Sequence, residues 1–215
     1  MPFDSLIFDM DGTLWDTVAE VTASWKETIA RSGLPLPPQI DSLSQYFGMT
    51  EDEIAHELFP QLTFEESSAL LRRCNTEECD YIYRHGTTIY PGLIDTLEKL
   101  SKHFRLFIVS NCVDGYIETF FKTFDTAKYF EDYEFFGRTG MKKAQNIRLI
   151  CERNGLKAPV YVGDTVWDAE ACEEAGVPFI YAAYGLGELT DTTRACRVIR
   201  SFPELLELIP GETEK

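Results

Sequence analysis

The stretch Ser5-Leu6-Ile7-Phe8-Asp9-Met10-Asp11-Gly12-Thr13-Leu14 decides how this chain folds. Leu6, Ile7 and Phe8 run without interruption into Asp9, the pattern of a strand buried on both faces of a parallel sheet. Two carboxylates two positions apart follow, then Gly12 and Thr13. In an open α/β sheet, ligands bind beyond the carboxyl ends of the strands, where these residues fall. Alternation along an extended chain puts Asp9 and Asp11 on the same side. Such a pair can divide the work of phosphoryl transfer. One carboxylate attacks phosphorus and becomes an acyl phosphate, while the other gives and takes the leaving-group proton. A hard cation such as Mg²⁺, held by one or two carboxylates and a substrate phosphate, would neutralise the transferring group. Gly12 permits a tight turn, and the Thr13 hydroxyl can donate to a phosphate oxygen. A plain strand ending in a solvated Asp-Gly turn reads the same way, so the rest of the chain has to separate the two.

The 215 residues suffice for a sizeable core in one or two domains, and 44% hydrophobic with 26% charged residues is a globular composition. A formal net charge of −16 argues against nucleic acid or an anionic membrane as partner. It also means that a metal and a lysine must offset the overall field where an anionic substrate binds. No apolar run approaches the ~18 residues of a membrane span, and no basic region leads into an apolar stretch, so no signal peptide is expected. Cys74, Cys79, Cys112, Cys151, Cys172 and Cys196 are scattered without a C-x-x-C, as free thiols of a cytoplasmic protein would be. His56, His85 and His103 lack metal spacing and read as surface or packing residues.

Beyond Leu14 the periodicity becomes helical. Val18, Val21, Trp25 and Ile29 share a face, and Gly33 with Pro35 stops the helix. Thr50-Glu51-Asp52-Glu53 and Thr63-Phe64-Glu65-Glu66 resemble capping boxes opening further helices, the second running toward Tyr83. From Asp16 to Thr88 no strand is expected, which makes this an all-helical insertion. After Tyr90-Pro91-Gly92 helices and strands alternate: a helix from Leu93 to His103, a strand from Arg105 to Val109 ending at Ser110-Asn111, and a helix through Ile117 and Phe124. A short strand-like run over Tyr133–Phe136, a helix over Lys143–Asn154 closed by Gly155, and Val160–Val162 running into Gly163-Asp164 come next. A helix over Thr165–Ala175 stopped by Gly176, a strand over Phe179–Ala182, and a final strand over Arg197–Ile199 complete the core before Pro203–Ile209; the tail after Pro210 reads as frayed. This alternation predicts an α/β fold, a Rossmann-like parallel sheet with helices on both faces.

Buried strands therefore end three times in polar residues: in Asp9, in Ser110-Asn111, and in Gly163-Asp164. Parallel neighbours would bring all three ends to one mouth. Ser110 and the following N–H can donate to phosphate oxygens, Asp164 is a second hard metal ligand, and Asp168 can hold a metal-bound water or orient a lysine. Lys143 supplies positive charge.

D-M-D-G-T, V-S-N, a lysine opening a helix, and G-D-T-V-W-D stand in the order of the four motifs of the haloacid dehalogenase-like hydrolases, and the chain resembles that superfamily over its whole length. Within it the chain looks most like the phosphoglycolate-phosphatase type. The resemblance implies a core of residues 1–15 and 89–215 with a helical cap of residues 16–88. It implies a Mg²⁺-dependent phosphatase of a small phosphorylated metabolite, cytoplasmic, and a monomer or weak dimer. Asp9 would be the nucleophile and a metal ligand, and Asp11 the general acid/base with its main-chain carbonyl on the metal. Gly12, Thr13, Ser110 and Asn111 would bind phosphate, Lys143 would neutralise it, and Asp164 would bind Mg²⁺ with Asp168 in support. The lysine motif departs from the usual lysine-proline, since Lys142-Lys143-Ala144 offers two candidates. Helical spacing from Lys143 reaches Ile147 and Ile150, the sheet-facing side, whereas Lys142 shares its face with Asn146 and Leu149, read as solvated.

A phosphomutase using the same phospho-aspartate is the competing enzymatic reading, and a binding protein on the same fold the non-enzymatic one. Asp11 and Gly163-Asp164 speak against a dehalogenase, and a Schiff-base mechanism would have only Lys26 in the insertion. Trp15 and Trp25 either line the cleft or pack. From Asp16 through Thr88 there are thirteen Asp/Glu and five Lys/Arg, so the insertion is no general anion trap, and Arg72, Arg73 and Arg84 read as solvated.

Overall fold

Leu6 and Phe8 point to one side of the sheet and Ile7 to the other, so a strand that is apolar at every position must be covered on both faces. The computed structural model, which describes residues 3–49 and 51–209, places it accordingly. β1 (Ser5–Phe8) is followed by β2 (Trp15–Asp16), α1 (Val18–Arg31), two 3-10 turns broken at Ser42 within Pro38–Tyr46, α2 (Glu51–Leu58), α3 (Phe64–His85) and β3 (Thr88–Ile89). Then come α4 (Leu93–Leu100), β4 (Arg105–Ser110), α5 (Tyr116–Phe124), β5 (Asp132–Phe135), a short α6 (Phe136–Thr139) and α7 (Lys143–Asn154). β6 (Pro159–Gly163), α8 (Val166–Ala175), β7 (Phe179–Ala182), β8 (Arg197–Ile199) and a 3-10 segment over Phe202–Leu208 complete the described chain.

The six-stranded sheet has the order β5-β4-β1-β6-β7-β8, and every pair in it is parallel. β1 is the pivot. The chain builds outward from it to β4 and β5, then crosses back to β6 on its other side. Such a reversal opens a crevice at the carboxyl ends of the strands. Register fixes what meets there: Phe8 lies level with Ile108 on one side and Val162 on the other. The Asp9 N–H extends the ladder by one bond, to the Val162 carbonyl at 2.9 Å. One core face takes Leu6, Phe8, Leu106, Ile108, Val160 and Val162 against α4, α5 and the insertion; the other takes Ile7, Phe107, Val109 and Tyr161 against α7 and α8.

The expected elements are present, with shifts of a residue or two. β5 begins at Asp132 and ends at Phe135, because Phe136 already opens α6, and α4 ends at Leu100 rather than His103. The Thr63 capping box is formed, its hydroxyl accepting from the Glu66 N–H. Thr50, the cap proposed for α2, and the tail after Pro210 lie outside the described residues. One expectation is corrected. Asp16 and Thr88 do form strand: they pair as the two-residue antiparallel ribbon β2–β3, Trp15 opposite Ile89 and Asp16 opposite Thr88. Alternation and length patterns need four residues or more, so so short a ribbon carries no sequence signal. The helices between the ribbon's strands pack on one another, with α1 and α3 side by side and Val21, Trp25, Ile29, Leu71, Cys74 and Ile82 buried.

Candidate active site

Four polar segments meet where β1, β4 and β6 end. Asp9 extends β1, Ser110 closes β4, Asp164 follows β6, and Lys143 opens α7 on the sheet side; all four are buried. Lys143 Nζ lies 3.0 Å from Asp9 Oδ2 and 2.6 Å from Asp168 Oδ1. The other oxygen of Asp168 accepts from the Thr165 hydroxyl at 2.7 Å and from the Thr165 and Asp164 N–H groups at 2.9 and 3.2 Å. Asp168 is thus fastened into the first turn of α8 by a capping box with Thr165, and its free side clamps the lysine. It contacts the lysine directly, and it also lies in the same carboxylate group as Asp9 and Asp164.

Asp164 Oδ2 accepts from the Leu186 and Gly187 N–H groups, both at 2.8 Å. Gly12 has φ +75°, and a Cβ there would fall within the Asp164 carboxylate, so only glycine allows the first strand-end loop to pass so close. Thr13 is fully buried with its hydroxyl unpartnered, and it does not line the cavity described below. Asp11 points toward the insertion. Its Oδ1 accepts from Thr17 Oγ1 at 2.9 Å and Tyr116 Oη at 2.8 Å, and those two hydroxyls lie 2.7 Å apart. The Asn111 amide donates to the Gly48 carbonyl at 2.7 Å, tying the strand-end loop to the insertion.

Charge follows from this burial. Burial raises the Asp9 carboxyl to about 6, with Lys143 pulling it down and Asp168 pushing it up. Burial raises Asp11 to about 7 against the bonds from Tyr116 and Thr17, placing it where it can both give and take a proton. Burial works against the Lys143 ammonium too, but Asp168 and Asp9 outweigh it and hold it charged. Asp164 is driven well above the usual carboxylate range by burial and by its neighbours Asp168 and Asp9. Oxygens of Asp9, Asp164 and Asp168 lie within 4.8 Å of one another, and Oδ1 of both Asp9 and Asp164 is buried without a hydrogen-bond partner. Three carboxyl groups share one ammonium, so their charged forms repel one another, and buried orphan oxygens are costly. A divalent cation with a preference for oxygen ligands would relieve both, and no soft ligand is in the set.

Lys143 is buried and Lys142 exposed, as the spacing of α7 requires. The face assigned to Lys142 is corrected at Asn146, which is fully buried and bonded to Thr139 and to the Met141 carbonyl. An asparagine reads as solvated in sequence, but here it pins the loop before α7. Trp15 is a packing residue, wholly buried against Tyr116 and Phe120 with ring centroids 5.0 and 5.3 Å away. Trp25 lines a cavity of about 80 Å³ that also touches Asp9, Asp11 and Ser110. Cys112 borders it too, and burial drives its thiol far above its ordinary value, which disfavours the thiolate.

Sequence reasoning missed Thr17, Tyr116 and the Leu186–Gly187 N–H pair. Thr17 stands where a helix cap belongs, but its side chain makes no cap bond and serves Asp11 instead. Tyr116 looks like one more apolar helix residue. The run Gly185-Leu186-Gly187 after a strand was the available signal for backbone donors.

The switch point of the parallel α/β core thus holds a carboxylate–lysine–carboxylate cluster beneath the helical insertion. The chain belongs to the haloacid dehalogenase-like hydrolases, whose family profile matches residues 6–182. It is 27% identical over 217 residues to a phosphoglycolate phosphatase of Vibrio parahaemolyticus, covering 95% of each chain. In fold it is similar to a haloacid dehalogenase-like hydrolase from Streptococcus pneumoniae, with a TM-score of 0.81, 21% identity and coverage of 96% and 98%. It is also similar to CbbY from Rhodobacter sphaeroides, solved in complex with phosphate, with a TM-score of 0.78, 18% identity and coverage of 94% and 96%.

Proposed function

We propose that the chain is a Mg²⁺-dependent phosphatase that hydrolyses a small phosphomonoester through a phosphorylated Asp9. The observation that carries this reading is the pair of orphan oxygens, Oδ1 of Asp9 and of Asp164, buried beside the Lys143–Asp9 ion pair. Asp9, Asp164 and the main-chain carbonyl of Asp11 would hold the metal, with Asp168 supporting through Lys143. Bound there, Mg²⁺ supplies charge to offset the phosphoryl oxygens.

Asp9 attacks phosphorus as the bond to the leaving oxygen breaks, and Asp11 gives that oxygen its proton. In the second half Asp11 takes a proton from water as the water oxygen attacks the acyl phosphate at phosphorus and the bond from phosphorus to the Asp9 oxygen breaks, releasing inorganic phosphate and restoring the Asp9 carboxylate and the protonated Asp11. Lys143 neutralises the nucleophile and then the transferring group, while Ser110 Oγ and the Asn111 N–H bind phosphoryl oxygens. Residues 16–88 act as a cap that excludes bulk water, joined to the core by the β2–β3 ribbon and by the Asn111–Gly48 bond.

The test is acid quenching during turnover of p-nitrophenyl phosphate with Mg²⁺, followed by peptide mass spectrometry. Phosphate is expected on Asp9, and Asp9→Asn should be folded and inactive. A variant with near-wild-type turnover would remove Asp9 from the reaction.

A further inference from the structure

The 80 Å³ cavity has a far end that the reaction chemistry does not use. It begins at Asp9, Asp11 and Ser110 and reaches Asn75 and Glu78 on α3, two polar side chains that are buried inside the insertion. Between the two ends the walls are apolar, from Val21, Leu43, Met49 and Ile54. Trp25 Nε1 donates to Glu78 Oε2, which fixes the carboxylate at that end. At ~10–15 Å³ per water position the cavity has room for a handful of waters, and so for a short alcohol.

The balance of charge in this cavity is one-sided. Its carboxyl groups are Asp9, Asp11 and Glu78, and no Lys, Arg or His is among the described residues that line it. From Ser32 through Leu71 the sequence holds no Lys or Arg, so this whole part of the insertion adds no permanent cation. The basic residues on the neighbouring helix α1 are turned to partners elsewhere, Lys26 to Asp41 and Arg31 to Glu77. Lys143 is held between Asp9 and Asp168. A leaving group carrying a carboxylate would meet the buried Glu78, with no Lys, Arg or His among the described lining residues to offset it. A hydroxyl or an ammonium would find acceptors in Glu78 and Asn75.

We propose that the substrate is a phosphomonoester of a short alcohol that is uncharged or cationic and ends in an O–H or N–H donor, and that Glu78 is the residue that selects it. This rests on the phosphatase reading above, and it separates the chain from relatives whose name gives phosphoglycolate, an anionic alcohol ester, as substrate.

Three esters of nearly equal length isolate the charge: 2-hydroxyethyl phosphate, 2-aminoethyl phosphate and phosphoglycolate, with p-nitrophenyl phosphate as reference. With Mg²⁺, wild-type kcat/KM for at least one of the first two should exceed that for phosphoglycolate by on the order of 10²-fold, the scale of one like-charge encounter in a partly desolvated site. Glu78→Gln should narrow that ratio about tenfold, raising turnover of phosphoglycolate and lowering that of 2-aminoethyl phosphate. The wild-type ranking decides by itself if the variant fails to fold, as read by circular dichroism. Phosphoglycolate turned over as well as or better than both other small esters overturns the inference and leaves the phosphatase reading standing. A folded Glu78→Gln with an unchanged ratio overturns the role of Glu78. No hydrolysis of any of the four esters overturns both readings.

Discussion

Replacing Lys143 by methionine keeps the length of the side chain and removes its charge. In the folded chain its ammonium sits 2.6 Å from Asp168 and 3.0 Å from Asp9, with the side chain 3% exposed. The variant leaves both carboxylates buried without their shared cation, and removing one partner of a buried pair costs about 3–5 kcal/mol. Because methionine refills the volume, that cost is electrostatic rather than a cavity. The rate loses a preorganised positive charge beside the phosphoryl oxygens, worth on the order of 10²–10³ in kcat by comparison with a single oxyanion donor. Urea unfolding and kcat/KM on p-nitrophenyl phosphate at saturating Mg²⁺ measure the two effects, and Lys142→Ala is the control. Lys142 is exposed and contributes its main-chain N–H, donated to Gln145 at 3.1 Å, which alanine preserves. A Lys143→Met enzyme within tenfold of wild type, or a larger loss in Lys142→Ala, would refute the assignment of the lysine.

Three further outcomes are expected. Gly12→Ala places a side chain at φ +75° and against the Asp164 carboxylate, so it should destabilise by more than the ~1–2 kcal/mol of left-handed strain alone; a urea midpoint equal to wild type would contradict the close approach. Tyr116→Phe removes one of two donors to Asp11 Oδ1, and loss of a bond to a charged group, about 1.5–3 kcal/mol, should cut kcat roughly tenfold or more. The bond favours the ionised form of Asp11, so its loss should also move the acid limb of the kcat–pH profile upward, a shift that a packing role for the ring would not produce. At the sheet edge, burial pushes Asp132 up, but the bonds from Asn154 and Arg153 outweigh it and hold its carboxyl below the ordinary value. The stability from that pair is therefore present above the unfolded value of about 3.9 and lost as pH falls through the folded one. Arg153→Ala should destabilise at pH 7 and much less at the acid end of the titration; an equal deficit at both would mean that the guanidinium acts through packing.

How much of this was legible in the residues depends on the range of the interaction. Leu6-Ile7-Phe8 running into Asp9 read as a strand buried on both faces, and β1 is such a strand inside the sheet. The polar ends at Asp9, Ser110 and Asp164 were readable because parallel strands in register end together, which is local periodicity repeated three times. The choice of Lys143 over Lys142 followed from helix geometry alone. Thr63 was legible as a cap because its partner lies three residues away. What the sequence could not show depends on groups far apart along the chain that meet only when the insertion packs on the core. Thr17 and Tyr116 meet on Asp11 across 99 positions, Asn111 reaches Gly48 across 63, and Trp25 meets Glu78 across 53. Asp168 is the intermediate case. Its place in the first turn of α8 was evident, but whether it faced a metal or a lysine depended on how α7 and α8 pack together. Secondary structure and strand ends are set by neighbours within a few residues, whereas the lining of the cavity is set by side chains brought together from separate helices, whose contacts no spacing records.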